Sequence, residues 1–193
     1  MTRDTGKLAK PGPDPDYKRY LLTKDGISPR AFPGDEGKAV VSAGNVHRED
    51  GHITEEAEMR KLMVQKFMNK IPAIMTDLNP PEIFGEANAE ITLLTWGSTW
   101  GAANEAVEKL AAQGVSINQL HFCDIFPLRT AKLREVFAQS KQVIAVEQNI
   151  TSQFASLVRM QTGLVVTQHI NKYDGRPMTP EWIISELKEG GIV

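Results

Sequence analysis

Residues 91–114 constrain the fold more than any other stretch of this 193-residue chain. Ile91-Thr92-Leu93-Leu94-Thr95 is a short apolar run rich in β-branched residues. The small-residue turn Trp96-Gly97-Ser98-Thr99 follows, and an amphipathic stretch then runs to Gly114. Strand, tight turn and helix in that order predict the opening unit of an α/β domain. Such turns lie at the carboxyl edge of a sheet, where α/β proteins hold ligands or subunit contacts.

The alternation continues to the end of the chain. Strands are expected at 91–95, 117–122, 142–146 and 165–170, and helices at 101–113, 130–138, 151–161 and 180–189. Short apolar strands separated by helices of about ten residues imply a mainly parallel sheet covered on both faces, a three-layer α/β sandwich. Gly114 stands where a helix C-terminus wants glycine, and Thr179-Pro180 reads as an N-cap with proline at the first helical position.

The first half reads differently. Pro11, Gly12, Pro13 and Pro15, then Pro29, Pro33, Gly34 and Gly37, interrupt any regular element before residue 54. The apolar and aromatic residues there (Tyr17, Tyr20, Leu21, Leu22, Ile27, Phe32) are too many for a solvated tail, so 1–53 is expected to cover a partner or an adjoining domain. Residues 54–88 then form a helix and linker: Thr54 caps, Glu55, Glu56 and Glu58 occupy the first turn, Met59, Leu62, Met63, Lys66 and Phe67 keep helical spacing, and Pro72 stops it. Residues 89–193 are the α/β domain proper.

Composition excludes several function classes. A net charge of −2 gives no drive toward nucleic acid or an anionic membrane surface. The single cysteine, Cys123, excludes an internal disulfide and a cysteine-ligated cluster. No apolar run approaches the roughly 20 residues of a membrane span, and the N-terminus has no apolar signal region, so a cytoplasmic protein is expected.

No catalytic residue and no metal site is assigned from the sequence. The turn 96–101 has glycines that expose amides to an anion, yet it lacks a complete dinucleotide fingerprint or a phosphate-loop lysine; close strand-to-helix packing is the favoured explanation. Its tryptophans suit a subunit contact. Glu147, ending an apolar strand, must be paired or wet, and Gln148, Asn149 and Gln153 surround it; a structural role outweighs acid–base catalysis. His47 and His52 are five apart on a loop, which does not suit a helical zinc pair. Cys123 is expected to be a buried small hydrophobe, and His121 and His169 core or rim histidines. Ser28-Pro29-Arg30 fixes an extended loop whose guanidinium can meet a carboxylate or phosphate, with an interdomain salt bridge the more frequent use of such a residue.

Taken in order, Lys18-Arg19-Tyr20, Asp25-Gly26-Ile27-Ser28-Pro29-Arg30, Pro33-Gly34, His47 to Glu55, Thr95-Trp96-Gly97-Ser98, Glu147-Gln148-Asn149 with Gln153, and Tyr173-Asp174-Gly175-Arg176-Pro177 resemble the carboxyl-terminal region of the alpha subunit of 2-oxoacid:ferredoxin oxidoreductases, the 2-oxoglutarate type in particular. The resemblance runs from about Gly6 to Ile192. It implies a transketolase C-terminal-like α/β domain with a mainly parallel sheet whose last strand can run antiparallel. It also implies membership of an enzyme that oxidatively decarboxylates a 2-oxoacid with coenzyme A, using thiamine diphosphate, magnesium and iron–sulfur clusters, and reduces ferredoxin.

On that resemblance the beta subunit and the remaining alpha or gamma portions are the partners. The beta subunit carries the diphosphate and magnesium, and this region binds no cofactor by itself. Thr95, Trp96, Gly97, Ser98, Thr99, Glu147, Gln148, Asn149 and Gln153 would then form an edge against partner subunits, and Ser28, Pro29 and Arg30 would lie near the substrate. Two positions depart from the family pattern: Ser152 stands where glycine is usual, and Arg48 where an acid is expected. The competing expectation is an independent α/β module that binds a small anionic ligand such as coenzyme A at the same sheet edge.

Overall fold

The computed structural model describes residues 5–193, which fall into two compact units, one ending at Asp77 and the other spanning Leu78–Val193.

The second unit is built on a five-stranded sheet of order β1-β3-β2-β4-β5, with β1 Glu82–Gly85, β2 Ile91–Trp96, β3 Ile117–Phe122, β4 Gln142–Glu147 and β5 Gln168–Asn171. Strands β3, β2, β4 and β5 are parallel, and β1 adds antiparallel to the outer edge of β3, pairing Ile83 with Leu120. The antiparallel strand is therefore the first and not the last. Gln168–Asn171 follows helix α5 (Gln153–Thr162) through a crossover, which returns a chain parallel to its starting strand. The expected strand at 165–170 begins three residues later, because Val165 is half exposed and only the segment from Gln168 finds partners on β4.

Alternation along the strands assigns the two faces. Ile91, Leu93, Ile117, Ile144 and Val146 pack against Ala103, Ala106, Val107 and Leu110 of α3 (Trp100–Ala111) and Ile183 and Leu187 of α6 (Pro180–Glu189). Leu94, Leu120, Phe122 and Ala145 pack against Leu133 and Val136 of α4 (Ala131–Gln139) and Phe154, Ala155 and Val158 of α5. Two helices on each face make the three-layer sandwich that the short apolar strands require. Thr179 caps α6 as expected, its hydroxyl accepting from Trp182 N.

The first unit contains α1 (Ala57–Asn69), α2 (Ile71–Asp77) and a long irregular segment before them. That segment crosses itself in parallel at Leu8 and Arg30, where Arg30 N donates to Lys7 O and Ala9 N to Arg30 O. The hydroxyl of Tyr17 accepts from Ala31 N and donates to Pro29 O, while the Glu49 carboxylate accepts from Leu22 N and Lys18 Nζ. Pro72 does not stop α1, which ends at Asn69; proline lacks only an N–H that the first turn of α2 leaves unused anyway. Glu56 occupies the N-cap position of α1 without a side-chain cap, and Thr54 contributes through its hydroxyl, which accepts from Glu56 N.

Candidate functional site

The sheet edge is organised by one carboxylate. Glu147 ends β4 with no solvent exposure. Its Oε2 accepts from Phe154 N at 2.9 Å, Asn149 Nδ2 at 2.7 Å and Trp96 Nε1 at 3.3 Å, and its Oε1 accepts from Ala155 N at 2.9 Å. Phe154 and Ala155 lie in the first turn of α5, so the charge neutralises two orphan amides and the positive end of the helix dipole. A buried carboxylate is tolerable only when its lone pairs are filled in this way.

Neighbouring residues complete the turn. Asn149 Oδ1 accepts from Thr151 N and Gln153 N, Asn171 Nδ2 donates to Asn149 O, and Ser152 Oγ donates to Asn171 Oδ1. Ser152 adopts φ 49°, the left-handed region that favours glycine, and is the one non-glycine residue among the described residues to do so. A glycine would adopt the same conformation without strain.

The corresponding turn after β2 is a single 3₁₀ turn, Gly97–Thr99, that leads into α3. Thr99 Oγ1 donates to Trp96 O at 2.7 Å and accepts from Trp96 N, which fixes the tryptophan backbone. The indole then lies over Phe154, with ring centroids 6.2 Å apart. The ends of β2 and β4, the crevice where chain connections diverge and α/β folds place ligands, are thus joined through Trp96 and Glu147. Gln148, Gln153, Gly97 and Ser98 are exposed around this internally satisfied core, and Thr95 and Thr99 are buried.

A second polar set lies on the opposite face of β2 and β3. Gln119 Nε2 donates to Thr95 Oγ1 at 2.7 Å, and Thr95 Oγ1 is 2.9 Å from His121 Nδ1. Burial holds the His121 pKa below its ordinary value, with nearby Glu82 opposing the shift. His121 and Cys123 border a cleft of about 370 Å³ with Phe84, Gly97 and Trp100. Cys123 is exposed and not buried as expected, because it lies one residue past the end of β3, where the chain leaves the sheet.

Ser28, Pro29 and Arg30 belong to the first unit. Ser28 and Arg30 border a hollow of about 380 Å³ whose charged lining consists of Lys7, Arg19, Arg30, Lys66 and Lys70. Arg30 donates through one guanidinium nitrogen to Thr5 O at 2.6 Å and stands over the Phe32 ring at 5.1 Å. Among the described residues it has no carboxylate partner within ion-pair distance. His47 stacks on Tyr20 at 3.9 Å beside the same hollow, while His52 pairs with Asp50.

Lys66 is the residue that sequence reasoning passed over. It is 4% exposed, and its ammonium donates to Gly26 O at 2.7 Å and Ser28 Oγ at 2.6 Å. The available signal was its position within the stripe of Met59, Leu62, Met63 and Phe67. Burial, then the charge of Lys70, lowers its pKa.

The donors present do not suit a resident inorganic group. Among the described residues no three His, Cys, Asp or Glu side chains gather as metal ligands, and an iron–sulfur cluster needs several thiolates where this chain has one. No helix among the described residues is long and apolar enough to cross a membrane.

Known proteins match this architecture. Residues 89–183 match the pyruvate:ferredoxin oxidoreductase core domain II. The chain is 34% identical to the alpha subunit of 2-oxoacid:ferredoxin oxidoreductase 1 from Sulfurisphaera tokodaii, over 98% of its own length and 30% of that protein. It is 30% identical to the 2-oxoglutarate oxidoreductase subunit KorA of Mycobacterium tuberculosis, over 87% of this chain and 25% of the relative. Among solved structures it superposes on the 2-oxoglutarate:ferredoxin oxidoreductase from Magnetococcus marinus with 2-oxoglutarate, coenzyme A and succinyl-CoA bound. There the TM-score is 0.76 and the identity 32%, covering 90% of this chain and 30% of that one. The chain spans less than a third of the length of these relatives. With a core-domain-II sheet and near-complete coverage by these relatives, the chain belongs to the family of 2-oxoacid:ferredoxin oxidoreductase alpha subunits.

Proposed function

We propose that this chain serves a cytoplasmic 2-oxoacid:ferredoxin oxidoreductase of the 2-oxoglutarate type, in which residues 1–53 cover neighbouring parts of the assembly, the ends of β2 and β4 contact partner subunits, and Ser28-Pro29-Arg30 borders the substrate. The reaction would be oxidative decarboxylation of a 2-oxoacid to an acyl-coenzyme A, with electrons passed to ferredoxin. Thiamine diphosphate, magnesium and iron–sulfur clusters would be held by a beta subunit and the remaining alpha or gamma portions; the single cysteine of this chain supports that reading for the clusters.

The observation that carries this reading is Arg30, on a hollow whose charged lining among the described residues is cationic, and without a carboxylate partner among those residues. A fork of N–H donors is the group that recognises a carboxylate in a fixed orientation. Relatives named for 2-oxoglutarate oxidation support the substrate type. For the independent anion-binding module, the α5 N-terminus is already neutralised by Glu147, which leaves the amides after Gly97 at the start of α3 as its site.

Kinetics of the assembled enzyme test the reading. Arg30→Ala is expected to raise the KM for 2-oxoglutarate about tenfold or more, the value of one charged hydrogen bond. An unchanged KM would remove Arg30 from the substrate. Gln148→Ala and Trp96→Ala are expected to reduce recovery of the complex, and undiminished assembly in both would remove the edge from the interface.

A further inference from the structure

Lys66 is placed where α1 should carry an apolar residue. It lies one turn from the buried Met63 and is itself almost wholly enclosed. Its ammonium reaches back 40 residues to Gly26 O and 38 to Ser28 Oγ. Ser28 Oγ passes the contact on by donating to Leu21 O at 2.8 Å. Gly26, at φ 73°, presses so closely on α1 that a Cβ would stand 2.4 Å from Lys66 O. One side chain thus holds two points of the loop, four and two residues before Arg30.

The arrangement is costly to keep. Among the described residues no carboxylate lies within ion-pair distance of Lys66, both partners being neutral oxygens. Lys70 and Arg19 oppose its charge, and Asp25 and Glu49 offset it only from a distance. A buried ammonium without a paired carboxylate disfavours folding, and a methionine would fill the same space without that cost. Groups held against their solvation in this way concentrate at functional sites. The two contacts also leave one of its three N–H donors over for the hollow.

We propose that Lys66 is a positioning residue for substrate binding, fixing through Gly26 and Ser28 the loop that presents the Arg30 guanidinium to an anionic 2-oxoacid. This rests on the reading that Ser28-Pro29-Arg30 borders the substrate. Lys66 acts through the loop, so its removal changes how well the 2-oxoacid is bound and leaves the later chemistry and the second substrate alone.

The test is steady-state kinetics of the assembled oxidoreductase with 2-oxoglutarate as the probe, for Lys66→Met, Lys66→Arg, Ser28→Ala and Arg30→Ala. Lys66→Met is expected to raise the KM for 2-oxoglutarate about tenfold, with kcat and the KM for coenzyme A within about twofold of the parent. Ser28→Ala is expected to move the same constant in the same direction by a smaller factor, and Lys66→Arg to restore part of the loss. If Arg30→Ala raises that KM while Lys66→Met and Ser28→Ala do not, the positioning role is overturned and the substrate reading stands. If Arg30→Ala has no effect, both fall. A Lys66→Met enzyme in which kcat and both KM values worsen together reports general distortion and overturns the proposal. Should Lys66→Met not assemble, Ser28→Ala decides: a raised KM supports the role, and an unchanged one ends it.

Discussion

Trp96 and Glu147 meet at 3.3 Å, the indole N–H donating to a carboxylate that no solvent reaches. They stand 51 residues apart at the ends of β2 and β4, and their contact closes the crevice between the two strands. The same carboxylate caps α5, so one charge fixes both a turn and a helix start. The sheet edge is thereby rigid at its centre, with exposed amides and hydroxyls around it.

Replacing Glu147 by Gln keeps its shape and removes its charge. An amide NH₂ then faces one of the donors now satisfied at Phe154 N, Ala155 N, Asn149 Nδ2 or Trp96 Nε1. The expected loss is about 2–4 kcal/mol, as for a buried donor left facing another donor beside lost charged hydrogen bonds. Urea denaturation checks it, and amide exchange should show the first turn of α5 losing protection first.

Gly26 is the position where α1 tolerates no side chain. Alanine there combines φ 73° with a 2.4 Å approach to the Lys66 carbonyl. Left-handed strain alone costs about 1–3 kcal/mol, and the clash adds to it. Gly26→Ala should therefore lower the melting temperature, whereas Gly34→Ala, with a positive φ but open space around it, should cost less.

Much of the second unit was legible because apolar periodicity survives in its buried elements. The runs at 117–122 and 142–146 carry enough burial on both faces to be read as parallel strands, and Thr179-Pro180 announces α6. β1 was not legible: Glu82-Ile83-Phe84-Gly85 is four residues long, follows two prolines, and becomes a strand only through its pairing with β3. Glu147 was recognisable as a carboxylate needing partners, but Trp96 could be named as one only after the sheet had brought β2 beside β4. Lys66 was hidden for a different reason. A lysine near a helix C-terminus ordinarily serves the helix dipole in solvent, and its place in the stripe beside Met63 hints at burial without naming the loop 40 residues back that its ammonium reaches.

His121 makes the stability of the second unit depend on pH. Burial holds its folded pKa below the ordinary 6.5, so the unfolded chain takes up a proton first as pH falls. The contribution is complete above about 6.5 and is lost progressively as pH drops toward the folded value. Parent protein should therefore lose stability as pH falls below about 6.5, and His121→Gln, which keeps a polar group beside Thr95, should flatten that part of the curve. Denaturation midpoints at several pH values would show a parallel slope in both proteins if His121 were not the titrating group.

Asp25 gives the opposite end of the pH scale. Its carboxylate accepts from Ile27 N at 3.0 Å, and that bond, with the Thr23 hydroxyl and Lys7, brings its pKa to about 2. A carboxylate with a depressed folded pKa supports the folded state above its unfolded value near 3.8, and the support drains away as pH falls through about 2. The turn before Ser28 should therefore persist at pH 4 and loosen only in stronger acid. Because Asp25 is exposed, the effect is local, and salt should weaken the part due to Lys7 and leave the backbone bond. Amide exchange at Ile27, followed from pH 5 to pH 2, is the direct measure: protection in the parent should outlast that in Asp25→Ala across this range. Equal exchange in the two proteins at pH 4 would mean that the Ile27 amide is held by something other than the Asp25 side chain.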